Sequence, residues 1–133
     1  MADKLHFDLV SPERRLFAGA VDMVVVPGEE GDFGVLAKHS PFMSVIRPGA
    51  IIVTDEGVSE RTFIYGGFAE VTPAGLTILA EEAIPVSEID VAALDRDLKN
   101  AQEDLGVART EIDIEHARER VARLEAMKDV VAN

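Results

Sequence analysis

The chain has 133 residues, 47% of them apolar, with no cysteine, no tryptophan and a net charge of −12 from 25 acids against 13 bases. That length holds one domain, or a small domain with an appendage, around an aliphatic core of Val, Ile, Leu and Ala. The acidic balance disfavours nucleic acid and anionic lipid, and the missing thiols exclude disulfides, Cys-ligated metal and thiol catalysis.

The opening Met1-Ala-Asp-Lys-Leu-His6 lacks the plan of a signal peptide, and no apolar run approaches the ~20 residues of a membrane helix. No direct membrane insertion is therefore expected. Leu5–Val10 alternates as a strand does, and Ala20–Val26 is β-branched and apolar. Between Val26 and Pro41 lies an elaborate loop with Gly28, Gly31 and Gly34 at a spacing of three. It also carries Glu29, Glu30, Asp32 and His39, around a short strand from Phe33 to Leu36. Such a loop between simple strands points to recognition. Further on, Gly49–Thr54 and Val58–Tyr65 flank the turn Asp55-Glu56-Gly57, and Phe68–Thr72 and Leu76–Ala80 flank Pro73-Ala74-Gly75. Gly66-Gly67 marks a bulge or a sharp corner. Short strands with regular turns and no helix before residue 88 predict an antiparallel sandwich or barrel.

From about Asp90 the period changes to that of a helix. Val91, Leu94, Leu98, Ala101 and Leu105 form one stripe, and Asp95 and Lys99 are spaced as a helical ion pair. Gly106 is expected to break this helix. Thr110-Glu-Ile-Asp113 resembles a capping box, and Ile114, Ala117, Val121 and Leu124 form a second stripe. Two such helices with a short link predict an antiparallel hairpin. Its seam is thin, which suits a detachable element as well as it suits a docked cap.

Catalytic chemistry finds little support. The G-x-x-G-x-x-G spacing matches neither a dinucleotide fingerprint nor a P-loop, and its carboxylates would repel phosphate. His6, His39 and His116 lack the spacing of a zinc motif, and no serine sits in a nucleophile elbow. The residues alone describe an acidic, non-enzymatic binding module with no metal or cofactor. A free-standing β-sandwich binding sugar or peptide, with a helical self-association tail, is one alternative. A small cupin-like metal enzyme is another, with too few loop histidines to build its site.

The order of segments resembles the epsilon subunit of bacterial F-type ATP synthase. The match is carried by Phe7-Asp-Leu-Val-Ser-Pro-Glu-Arg14, Leu16-Phe-Ala-Gly19, Pro27–Leu36, His39-Ser-Pro41, Arg47-Pro-Gly49, Gly66–Val71 and Thr77–Glu81. The resemblance implies a ten-stranded antiparallel β-sandwich over residues 1–87 and a regulatory helical hairpin over 88–133. It implies a non-catalytic rotor subunit at the cytoplasmic face of the bacterial inner membrane. The sandwich would bind the gamma subunit and the c-ring, and the hairpin would extend transiently toward the alpha/beta catalytic subunits and hinder ATP hydrolysis. The family's c-ring contact maps to Glu30, Asp32 and His39. Some members hold ATP through an I/L-D-x-x-R-A motif. Here Ile89 and Asp90 are kept, but Ala93 replaces the arginine, Leu94 the alanine, and Ile84 an upstream acid. Weak ATP binding at best is expected.

Overall fold

The structure, a computed structural model, describes residues 3–133. They form two compact units, one ending at Ser87 and the other spanning Glu88–Asn133. The first holds eight strands: β1 (Leu5–Val10), β2 (Arg15–Val21), β3 (Met23–Gly28), β4 (Gly31–Val35), β5 (Phe42–Val45), β6 (Gly49–Asp55), β7 (Val58–Thr72) and β8 (Gly75–Pro85). A short 3-10 turn, Val86–Glu88, follows.

The expected ten strands are corrected to eight, and the pairing is not purely antiparallel. Val58–Tyr65 and Phe68–Thr72 run on as the single strand β7, while the Ala20–Val26 run divides at Asp22. The hydrogen-bonded order is β2-β1-β8-β7-β6-β3-β4, with β5 also on β7. All neighbours are antiparallel except β1 and β8, which run parallel with Phe7 opposite Leu76. That pair closes the first strand against the last, so local alternation cannot reveal it.

The fold turns on β7. Its first half pairs with β6 and its second half with β5, while β8 follows it on the other side. The change of partner falls at Gly66-Gly67, with φ of 71° and 130°. A Cβ at Gly67 would collide with the Leu79 carbonyl, so only glycine fits this corner. Alternating side chains then fill one aliphatic core, including Phe7, Val24, Val26, Val35, Ile51, Ile64, Leu76 and Ile78, each 0–1% exposed. Burying each such side chain contributes about 1.5–3 kcal/mol before conformational entropy is subtracted.

Lys4 pins three parts of this unit together. Its ammonium reaches Asp22 at 2.9 Å between β2 and β3, and both Asp55 and Glu56 at the β6–β7 turn, the latter at 2.9 Å. The Glu56 N–H donates to the Asp22 carboxylate at 2.9 Å. Hydrogen bonds that the ammonium donates to these carboxylates, Asp55 first, raise the Lys4 pKa. The Lys4 hydrogen bond, then that of the Glu56 N–H, lowers the Asp22 pKa below its ordinary 3.8.

In the second unit, α1 (Val91–Val107) packs against α2 (Glu111–Ala132). Leu94, Leu98 and Ala101 are buried from α1, and Val121, Leu124, Met127 and Val130 from α2. Met127 and Val130 continue the expected stripe for two further steps. Val91 is 46% exposed and leaves the seam at its start. Thr110 caps α2 as expected, accepting from the Asp113 N–H at 3.1 Å. Gly106 does not break α1; the helix ends one residue later, where Ala108 turns to ψ 138°. Asp95 pairs across the hairpin with Lys128 at 2.8 Å, and Arg120 reaches Asp104 at 3.3 Å. No helix among the described residues is long and apolar enough to cross a membrane.

Two outcomes follow. The chain truncated after Ser87 is expected to fold, giving dispersed amide NMR signals and cooperative thermal unfolding; a molten fragment would show that the hairpin completes the core. Lys4→Met is expected to lower the unfolding temperature at pH 7, because three neighbouring carboxylates lose their cation. Asp22, with its depressed folded pKa, contributes stability above its unfolded value and loses it as pH falls through the folded one. Lys4, with its raised pKa, contributes below 10.5 and loses it above. The gap between wild type and variant should therefore close in acid, and a gap constant from pH 7 to pH 2 would contradict the assignment.

Candidate interaction site

The glycine-rich loop is built from a hairpin and its clamp. Gly28 and Gly31 face each other across β3 and β4, leaving Glu29 and Glu30 as a two-residue turn. Gly31 has φ 141°, and a Cβ at Gly28 would come within 2.7 Å of the Gly31 carbonyl and 2.8 Å of the Phe33 ring. Neither glycine tolerates a side chain, so the turn is tight by construction.

Arg47, just beyond β5, fastens this turn from the side. One guanidinium nitrogen donates to the Gly28 carbonyl at 2.7 Å and another to the Asp32 carboxylate. Its backbone N–H donates to the Pro27 carbonyl at 2.9 Å, and the Glu29 N–H donates to the Val45 carbonyl at 3.0 Å. Asp32 is therefore partnered within the chain, although its side chain is 60% exposed. Glu29 and Glu30 are exposed and make no ion pair among the described residues.

His39 lies elsewhere. It follows β4, whose two ends stand roughly 13 Å apart. It lines a groove of about 450 Å³ with His6, Lys38 and the β7–β8 turn at Pro73 and Gly75. Lys38 is ion-paired there with Asp3 at 2.8 Å, and His6 Nε2 stands 3.2 Å from Asp8. The structure thus brings Glu30 and Asp32 together and leaves His39 at the opposite end of the strand.

A second feature is an apolar stripe on the outer face of the sheet. Val45 on β5 stands opposite Phe68 on β7, Phe68 opposite Leu79 on β8, and Leu79 opposite Val10 on β1. Val45, Phe68 and Leu79 are 57%, 38% and 40% exposed, and Met43, two residues along the same face, is 61% exposed. Their chain neighbours Ala69 and Ile78 point the other way and are fully buried. Both faces of β7 and β8 are thus apolar in this row, which one-sided alternation does not predict. The sequence signal was available in the continuous apolar runs Phe68-Ala69 and Ile78-Leu79-Ala80, where alternation would place a polar residue on the solvated face.

Ile89 is half-buried and Asp90 exposed at the start of α1. The Asp90 carboxylate accepts from the Ala93 N–H at 3.1 Å and serves as the helix N-cap. Among the described residues no cluster of three His, Asp or Glu side chains is placed to hold a metal ion.

Residues 4–86 match the ATP synthase, Delta/Epsilon chain, beta-sandwich domain. The chain is 68% identical to the ATP synthase epsilon chain of Maricaulis maris over 133 residues, covering all of both chains. It is 52% identical to that of Parvibaculum lavamentivorans over 132 residues, covering 98% of this chain and 100% of the relative. The chain belongs to the ATP synthase epsilon chain family.

Among solved structures it resembles a chain of the Euglena gracilis mitochondrial ATP synthase, described as OSCP/F1/c-ring. The TM-score is 0.81 at 25% identity, over 97% of this chain and 82% of that one. A chain of the Tetrahymena thermophila mitochondrial ATP synthase shares the fold, with a TM-score of 0.64 at 14% identity and 98% of each chain covered. The epsilon chain is a non-catalytic subunit of the central stalk, and the catalytic sites of the synthase lie in other subunits.

Proposed function

We propose that this epsilon chain joins the gamma subunit to the c-ring, using two different surfaces of its β unit. The observation that carries the reading is the apolar stripe Met43, Val45, Phe68 and Leu79, exposed on a chain of net charge −12. A contiguous apolar patch on so acidic a protein is a docking surface. A rotor subunit must hold its shaft through every turn, and apolar burial gives such an interface its strength without dependence on salt. Gamma is therefore assigned to the stripe. The acidic turn at Glu30 and Asp32 is assigned to polar or basic loops of the c-ring, where charge complementarity favours register and encounter. His39, at the far end of β4, would reach the same partner only across a wider contact.

The hairpin is assigned the regulatory role. Its seam is closed by its own residues and by the Asp95–Lys128 and Asp104–Arg120 pairs, so it can move as one body. In an extended position it would meet the alpha/beta subunits and hinder ATP hydrolysis. ATP is not the latch. The motif's arginine position is Ala93, and the kept Asp90 is occupied as a helix cap. The protein would act at the cytoplasmic face of the bacterial inner membrane, peripherally, through its partners.

Phe68→Asp with Leu79→Ser tests the stripe. Neither side chain belongs to the core, so the isolated chain should keep its unfolding temperature while its affinity for gamma falls at least about tenfold. Undiminished co-purification with gamma would remove the stripe from the interface. Calorimetric titration of the isolated chain with ATP is expected to give a dissociation constant well above the micromolar range. Ala93→Arg should tighten it about ten- to a hundredfold, the worth of a charge-assisted hydrogen bond. Micromolar binding by the wild type would contradict the reading.

A further inference from the structure

We infer that Arg47 is the positioning residue of the c-ring contact, that Asp32 serves as its anchor rather than as a contact, and that Glu29 and Glu30 are the carboxylates presented to the partner. The inference rests on the assignment of the β3–β4 turn to the c-ring and deepens it. Among the described residues Arg47 is the cation bonded to this turn, and it holds it through three hydrogen bonds. Its guanidinium holds the Gly28 carbonyl at 2.7 Å and the Asp32 carboxylate, and its own N–H holds the Pro27 carbonyl at 2.9 Å. The planar fork suits two acceptors at once, and an ammonium does not reproduce that geometry.

The consequence is a division of labour among three carboxylates that look equivalent in sequence. Asp32 spends its charge on Arg47 and offers a partner a neutral pair. Glu29 and Glu30 have no internal cation, and the Glu29 N–H is already held by the Val45 carbonyl at 3.0 Å. Their backbone is thus ordered before any partner arrives, which removes part of the entropic cost of docking. Pro48 and Gly49 follow Arg47 and turn the chain into β6, so the clamp has a fixed point of attachment. Val45 links the two proposed surfaces: its side chain lies in the apolar stripe and its carbonyl holds the turn.

The test uses assembled ATP synthase in vesicles, carrying Asp32→Asn, Arg47→Gln, both together, Arg47→Lys, or Glu29→Gln with Glu30→Gln. Proton-driven ATP synthesis is measured over a salt series. The two glutamate substitutions are expected to lower coupling about tenfold and to flatten its salt dependence. Asp32→Asn should lower coupling less, keep the salt dependence, and add nothing once Arg47 is Gln, as expected for two residues acting through one interaction. Arg47→Lys should fail to restore coupling. In the isolated chain, Asp32→Asn and Arg47→Gln should alike speed amide exchange at Glu29, and unchanged exchange would overturn the clamp. An Asp32→Asn effect that persists in the Arg47→Gln background would show that Asp32 meets the partner itself, overturning the inference while leaving the c-ring assignment standing. If neither the glutamate pair nor Asp32 alters coupling, the c-ring assignment is wrong and the inference falls with it.

Discussion

The bend at Gly66-Gly67 is the constraint on which the β unit depends. A straight fifteen-residue strand would keep one neighbour along each edge. The two glycines let β7 serve β6 before the bend and β5 after it, and the sheet folds over its own core. The Ile46 N–H then bonds the Gly67 carbonyl at 3.1 Å, which places the end of β5. Arg47 is the next residue, so the position of the clamp on the acidic turn is inherited from the bend. A side chain at Gly67 would push against the Leu79 carbonyl and disturb every later step.

The charged groups act mainly by position. Lys4, Asp22, Asp55, Glu56, Asp32 and Arg47 are all substantially solvated. Solvated ion pairs contribute little to global stability, commonly under about 1 kcal/mol each. The stability of the unit comes instead from its aliphatic core, in which no polar side chain is buried among the described residues. The ionic contacts decide which turns are held and which carboxylates remain free. On so acidic a chain that distinction matters, because most of its acids are plain surface charge.

The hairpin follows a different rule. Its buried residues come from a narrow stripe on each helix, and Ala101, with no exposed surface, sets the close approach of α1 and α2. Each helix starts on its own cap, Asp90 and Thr110. The unit thus carries its local start signals and its own apolar seam. Val107 and Ile112, 73% and 67% exposed, flank the turn between the helices and stay outside that seam.

Alternation and turn residues located β1 and β6 closely, because those signals are local. They found only parts of β4, β7 and β8, whose full extent depends on pairing with distant strands. The helical stripes and the Thr110 cap were legible for the same reason. The short strand Phe42–Val45 was not, since four residues with no buried side chain carry no alternation to read. Gly106 looked like a helix stop, but glycine weakens a helix without ending it, and the backbone leaves only at Ala108. Asp95 looked paired with Lys99 along its helix, and packing offered Lys128 instead. The division among Glu29, Glu30 and Asp32 was also closed to sequence reading. It depends on Arg47, fifteen residues from Asp32 in the chain, whose place is set by long-range pairing through β5 and β7. Sequence alone determined the two periodicities, the acidic balance and the turns, because each is written in neighbouring residues. Only the tertiary structure decided which charges cancel, which apolar residues stay exposed and where His39 lies, because those depend on which distant strands meet.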